Sequence, residues 1–375
     1  MFTESLPRRA ARRAIGTVDA WCAPHGVDRY VEQVVPTWSS TEVRGRVMDV
    51  DRSATGSTVL TIEANGNWVG FRPGQYTQLS VEIDGVRHTR CYSMASAAPS
   101  ADAGRSERRR FQLGIKAHPE GLVSQHLLAT AHVGMVVGLT PAAGDFHLAD
   151  TRPDRIVLIS GGSGITPVLS MLRTLCAEGH TGPIGFLHYA RTPDAVLFAD
   201  DIAALADAHP NVTVRTAFDL APDAGDLDGL VCADHLAAVD DRWFDAEVYV
   251  CGPAPLMDAV RDLFDEAGAG DRFHQEAFTL PNFVTEAGDV SGTVTFAASG
   301  QAVESDSRPI LDLAESAGLT PASGCRMGIC HTCTRSLTCG TVRDAVTGDV
   351  TTVNGADVEI RVCVSVPVGD VTVDL

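Results

Sequence analysis

The chain has 375 residues, 45% of them hydrophobic and 21% charged, which is the balance of a globular protein with two or three domains. A formal net charge of −19 argues against a nucleic-acid partner, and arginine carries nearly all the positive charge because Lys116 is the sole lysine. Ten cysteines in a chain of this length, without a secretory pattern, indicate a reducing cytoplasm and not a disulfide scaffold. Arg8-Arg9 and Arg12-Arg13 imitate a twin-arginine signal, but Asp19, His25, Asp28 and Arg29 interrupt any apolar stretch behind them. No run approaches the ~18 apolar residues of a membrane span, so direct membrane insertion is not expected.

Residues 1–40 form an N-terminal extension with helix-like patches ending near Pro36 and Trp38, expected to pack over the first domain. Short strands follow at 43–50, 59–63, 76–83 and 87–93, separated by Gly and Pro turns such as Arg72-Pro73-Gly74. Residues 96–110 are small, polar and charged and read as a surface hairpin loop. A strand at 111–116 and a short helix at 122–128 complete a small antiparallel β-barrel over residues 41–150. After Arg152-Pro153 the pattern alternates: strands at 156–160, 184–189, 212–218 and 247–251 are joined by helices at 167–176 and 197–208. That is a doubly wound α/β domain, 151–280. A linker at 281–290 leads to a strand-rich α+β domain of the β-grasp, ferredoxin-like kind at 291–375.

That last domain carries Cys325, Cys330, Cys333 and Cys363, spaced C-x4-C-x2-C-x29-C. Three thiolates on one tight loop and a fourth from a distant segment suit a plant-type [2Fe–2S] cluster. Gly328 lets backbone N–H groups turn inward where a Cβ would crowd the loop. The alternative is a structural zinc site built on Cys330-His331-Thr332-Cys333, although a zinc ribbon would offer a second C-x2-C pair and Cys363 stands alone.

In the barrel, Arg90-Cys91-Tyr92-Ser93 places a cation, a ring and a hydroxyl at one strand end. Gly121-Leu122-Val123-Ser124 opens a helix whose free N–H groups could hold a pyrophosphate. With Phe71-Arg72-Pro73-Gly74-Gln75-Tyr76, these residues resemble the ferredoxin–NADP reductase superfamily of flavoenzymes, whose flavin motif is Arg-x-Tyr-Ser. The resemblance implies that Arg90 binds flavin phosphate, Tyr92 packs on the isoalloxazine and Ser93 addresses flavin N5. Gly121 and Ser124 would sit at the pyrophosphate, favouring FAD. The domain order looks like that of bacterial oxygenase and fatty-acid desaturase reductases. The phthalate dioxygenase reductase type shares the order but uses FMN, so FAD rests on the Gly121–Ser124 segment.

The loop Gly161-Gly162-Ser163-Gly164-Ile165-Thr166-Pro167 departs from the G-x-G-x-x-G of a Rossmann dehydrogenase and matches the superfamily's nucleotide loop, with Gly162, Gly164 and Thr166 at the phosphates. By the resemblance Cys251-Gly252-Pro253 flank the nicotinamide, with Cys251 near the hydride path, so Ser93 and Cys251 are the catalytic candidates; the alternative for Cys251 is a buried apolar thiol. Phe278 occupies the place of the family's flavin-stacking aromatic. Arg191, at the end of the second strand of this domain, could pair with a 2′-phosphate and select NADPH over NADH. The expected function is an NAD(P)H-dependent flavin/iron–sulfur reductase passing single electrons to an oxygenase or fatty-acid desaturase. Rivals are another acceptor, such as a hybrid-cluster protein or ring-hydroxylating dioxygenase, and a non-enzymatic redox sensor. Residues 291–375 hold 10 acidic and 5 basic side chains, a charge of −5 that suits a basic partner surface.

Overall fold

The computed structural model describes residues 28–278 except 101, and 292–375 except 325, 327, 329, 330 and 347. Most of the N-terminal extension, the 281–290 linker, Cys325 and Cys330 therefore lie outside the described residues. The chain divides into two compact units, Met1–Cys251 with Ala259–Gln275, and Gly252–Asp258 with Glu276–Leu375. No helix among the described residues is long and apolar enough to cross a membrane.

The first unit opens with α1 (Asp28–Val31), whose Asp28 carboxylate accepts bonds from Trp38 Nε1, Ser39 Oγ and the Ser40 N–H at 2.8–3.1 Å. Asn65 Nδ2 donates to the Thr37 carbonyl at 3.0 Å and Arg44 pairs with Glu32 at 2.7 Å, which stitches this segment to the barrel. The barrel comprises β1 (Val43–Asp51), β2 (Ser57–Ala64), β3 (Tyr76–Ile83), β4 (Val86–Ser93), β5 (Arg110–Lys116), α2 (Leu122–Thr130) and β6 (Val136–Leu139). Its strands run in the order β4-β3-β6-β1-β2-β5, with antiparallel pairing. Alternate residues point inward, and Val47, Leu60, Ile62, Leu79, Leu113 and Ile115 are fully buried. Each contributes on the order of 1.5–3 kcal/mol.

The 96–110 segment is a surface loop as expected, but not a hairpin. β4 and β5 stand at opposite ends of the sheet order, and the chain just past β4 meets β5 through the bridge Met94↔Leu113 and an Ala95 N–H bond to the Gln112 carbonyl at 2.9 Å. The loop therefore spans the seam where the curled sheet closes.

The second half of this unit has β7 (Ile156–Gly161), α3 (Ile165–Ala177), β8 (Ile184–Ala190), α4 (Ala199–Ala208), β9 (Val212–Phe218), α5 (Ala233–Val239) and β10 (Glu247–Cys251), with the greater part of α6 (Ala254–Glu266) and of β11 (Phe273–Glu276). The order is β11-β10-β7-β8-β9, and β10, β7, β8 and β9 are parallel. All six residues of β7 are buried, as a central parallel strand covered on both faces requires. The strand order reverses between β7 and β10, so the ligand crevice is expected at their carboxyl ends, Gly161 and Cys251.

One side chain fastens the two halves together. Arg173 on α3 donates through Nη1 to the Ala95 carbonyl at 2.8 Å and to Gln112 Oε1 at 3.0 Å, and through Nη2 to Asp201. Its guanidinium lies 4.8 Å from the Phe198 ring centroid. Ser170 Oγ donates to the Ser96 carbonyl at 2.7 Å, and Thr174 Oγ1 accepts from the Ala98 N–H at 2.9 Å. The chain just past Ser93 is thus held against the helix that follows the glycine loop.

The second unit contains β12 (Thr293–Phe296), β13 (Gln301–Glu304), α7 (Ile310–Ser316), β14 (Thr334–Asp344), β15 (Val350–Thr352), β16 (Val358–Arg361) and β17 (Ser365–Val373). The sheet is mixed, in the order β13-β12-β17-β14-β15 with β16 on β14; β12 and β17 run parallel and the other pairs antiparallel. Ile310, Leu311, Leu313 and Ala314 of α7 share a core with Val294, Phe296, Leu337 and Val373. That is the β-grasp arrangement.

Candidate functional site

Arg90, Tyr92 and Ser93 lie in the C-terminal half of strand β4. Ser93 is 3% exposed and its Oγ has no hydrogen-bond partner among the described residues, a buried polar atom left for a ligand to satisfy. Tyr92 packs partly against the barrel core, and burial pushes its phenol well above the usual range despite the opposing charge of Arg90. Arg90 Nη1 donates to the Thr89 carbonyl at 2.8 Å. These residues fit a bound flavin: the unsatisfied hydroxyl, a ring and a guanidinium occur on four consecutive positions.

Gly121 is the N-cap of α2. Ser124 Oγ donates to the Gly121 carbonyl at 3.1 Å and accepts from the His118 N–H at 3.2 Å. The hydroxyl expected at a pyrophosphate therefore shapes the turn, and the first-turn N–H groups are left to meet an anion.

Gly162 follows β7 with φ +55°, a conformation that side chains other than glycine rarely adopt. A Cβ there would lie 3.6 Å from Lys116 Nζ, so the sole lysine of the chain stands over the glycine loop. The sequence reading missed Lys116. Its signal was its rarity in an arginine-biased chain and its place at the end of β5, five residues before Gly121. Gly164 is buried, and Thr166 Oγ1 donates back to the Ser163 carbonyl at 3.2 Å, which keeps the loop folded at the start of α3. Cys251 is fully buried at the end of β10, level with Ser160 of β7. Gly252 and Pro253 follow it in the chain, and Phe278, half-buried, lies two residues past β11. Arg191 is exposed immediately after β8, and its carbonyl accepts from the Leu220 N–H at 2.9 Å.

His188 of β8 lies beneath this loop, 1% exposed, with Nδ1 2.8 Å from Ser160 Oγ. Burial lowers its pKa from 6.5 to about 3, and the Lys116 charge acts in the same direction. The folded state keeps this imidazole neutral, whereas the unfolded chain takes up a proton once the pH drops below 6.5. Stability is therefore lost as pH falls through the window from 6.5 towards 3. Between pH 7 and 5 the loss is about 2 kcal/mol. His188→Asn removes the titrating group, so chemical unfolding at the two pH values should show wild type losing that amount relative to the variant. A gap independent of pH would refute the assignment.

In the second unit, Cys333 and Cys363 are buried and belong to the apolar core. Val362 donates to the Cys333 carbonyl at 3.4 Å, and its own carbonyl accepts from the Leu311 N–H at 2.9 Å, so the two cysteine segments and α7 are tied together. Arg326, Gly328 and His331 have φ of +58°, +75° and +56°. Left-handed residues at three described positions of the cysteine segment give the tight turns that a loop wrapped around a small anionic cluster needs. Arg326 is anchored by Glu315 at 2.9 Å.

A curled antiparallel barrel, a parallel sheet with a glycine loop and a β-grasp unit with a cysteine loop define a pyridine-nucleotide-linked flavin and iron–sulfur electron carrier. Three family models match in that order: the oxidoreductase FAD-binding domain over residues 53–148, the oxidoreductase NAD-binding domain over 158–262, and the 2Fe-2S iron-sulfur cluster binding domain over 294–368. The last favours the cluster over the zinc alternative. An NADPH oxidoreductase of Mycobacterium tuberculosis is 35% identical over 350 residues, covering 93% of this chain and 88% of that protein. A glycine betaine monooxygenase reductase subunit of Pseudomonas aeruginosa is 29% identical over 325 residues, covering 81% and 87%. The crystal structure of phthalate dioxygenase reductase superposes with a TM-score of 0.59 at 25% identity, over 88% of this chain and 97% of that one. The chain belongs to the ferredoxin–NADP reductase superfamily, in the group that carries a C-terminal [2Fe–2S] ferredoxin domain. It is an NAD(P)H:acceptor oxidoreductase with FAD, nucleotide and cluster domains on one polypeptide.

Proposed function

We propose that the protein takes hydride from NADPH and delivers single electrons through its cluster to an oxygenase component. The observation that carries this reading is the Arg173 clamp, which fixes the strand end bearing Ser93 against the helix of the nucleotide loop. Hydride transfer needs two rings held at contact distance, and a shared rigid frame supports that. FAD, when bound, accepts electrons as a pair and releases them one at a time. Arg90 would hold its phosphate, Tyr92 would pack on the ring, Ser93 would offer its buried hydroxyl to N5, and the turn made by Gly121 and Ser124 would receive the pyrophosphate. Gly162, Gly164 and Thr166 shape the nucleotide loop, Lys116 adds positive charge above it, and Cys251 lines the end of β10. Cys325, Cys330, Cys333 and Cys363 would hold the cluster.

The oxygenase is favoured as acceptor because two relatives are named as reductase subunits, of glycine betaine monooxygenase and of stachydrine N-demethylase. Reconstitution tests it: with NADPH, the protein should support substrate turnover by an oxygenase component and none by a fatty-acid desaturase, and the reverse result would reassign the acceptor. For the coenzyme, Arg191 supplies an exposed guanidinium where the adenosine ribose is expected. A charge-assisted contact to a 2′-phosphate is worth about 1.5–3 kcal/mol, or roughly ten- to hundred-fold in the NADPH/NADH ratio of kcat/KM. Arg191→Ala should lose that preference with little change in NADH kinetics. An unaltered ratio would place the discriminating residue elsewhere.

A further inference from the structure

We infer that Arg361 is a positioning residue for the cluster loop and that, with Asp344, it sets the cluster's reduction potential. The inference rests on the cluster reading of the cysteine loop and goes beyond its four ligands. Arg361 ends β16, two residues before Cys363. Its Nη1 donates to the Gly328 carbonyl at 2.6 Å, and its Nη2 donates to the Asp344 carboxylate at 2.7 Å. Gly328 lies inside the ligand loop, between Cys325 and Cys330, at φ +75°. A Cβ on it would come within 3.0 Å of both Val364 methyl groups. The loop is therefore pinned from two sides by the residues that flank Cys363.

The planar guanidinium can serve two acceptors in one plane, which an ammonium on a flexible stem cannot do as well. Asp344, at the end of β14, is held on its other side by the Val346 N–H at 2.8 Å. Its side chain is 15% exposed and that of Arg361 32%, so solvent screens the ion pair only in part. Reduction adds one negative charge to the cluster. The guanidinium favours that charge and the carboxylate opposes it, so the intact pair nearly cancels and removal of either member unmasks the other.

The test is an EPR-monitored redox titration of the full-length protein, following the signal of the reduced [2Fe–2S] cluster. At the wild-type midpoint, Arg361→Gln should lower the ratio of reduced to oxidised cluster about tenfold, equivalent to ~59 mV for one electron. Asp344→Asn should raise it by a similar factor. Arg361→Lys should hold the midpoint near wild type but release iron to a chelator several-fold faster, because the two-acceptor fork is lost. Loosening of the fold alone would move Arg361→Gln and Asp344→Asn in the same direction, and that result overturns the inference, as does wild-type iron release from Arg361→Lys. Should Arg361→Gln fail to retain iron, an unchanged or lowered ratio in Asp344→Asn overturns it alone. A wild-type protein with no [2Fe–2S] signal would instead remove the cluster reading, and this inference with it.

Discussion

Cys363→Ser is expected to separate the two halves of electron flow. The substituted side chain is nearly isosteric and lies in the second unit, whereas Ser93, Tyr92 and the glycine loop belong to the first. Iron and acid-labile sulfide should fall away while the flavin stays. NADPH-dependent reduction of ferricyanide, which can collect electrons from the flavin directly, should remain within about twofold of wild type, and reduction of cytochrome c should drop by more than about tenfold. Equal losses with both acceptors in a folded, flavin-replete variant would contradict the serial route. A zinc site predicts another pattern, with no sulfide in wild type and no change in acceptor selectivity.

Arg90→Ala and Tyr92→Ala are expected to purify with substoichiometric flavin and a normal cluster signal. Loss of a guanidinium–phosphate contact costs about 1.5–3 kcal/mol, which weakens flavin binding roughly ten- to hundred-fold. Removing the partly buried Tyr92 ring takes away the surface on which a flavin would pack, and the barrel core behind it becomes accessible to water. Because the cysteines lie in a separate unit, their iron content should be untouched. Full flavin occupancy in both variants, measured from the visible spectrum after denaturation, would show that β4 is not the flavin strand.

Much of the fold was legible in advance because its signals are local. β3, β9 and β10 have the bounds expected from the alternation and turn residues. α3 begins two residues earlier than expected, at Ile165, because a single 3-10 turn at Gly162–Gly164 leads directly into it. β6 was missed: four residues, Val136–Leu139, are too short for a period to show, and the strand exists because β1 and β3 both pair with it. The hairpin expected at 96–110 failed for a related reason. Loop composition reveals that a chain turns, but not which strand it turns towards.

By itself, the sequence determined the order of the three domains and the chemistry each supports, since C-x4-C-x2-C, Arg-x-Tyr-Ser and the glycine loop are each carried by neighbouring residues. Only the tertiary structure decided what surrounds those motifs. Lys116 stands over Gly162 across a domain boundary, Arg173 reaches back to Ala95, and Arg361 ties Gly328 to Asp344. Each of these contacts joins residues far apart in the chain, so no periodicity or spacing announces it. They form because a buried or half-buried cation must find acceptors or a ligand's negative charge, and only the folded chain brings those within reach.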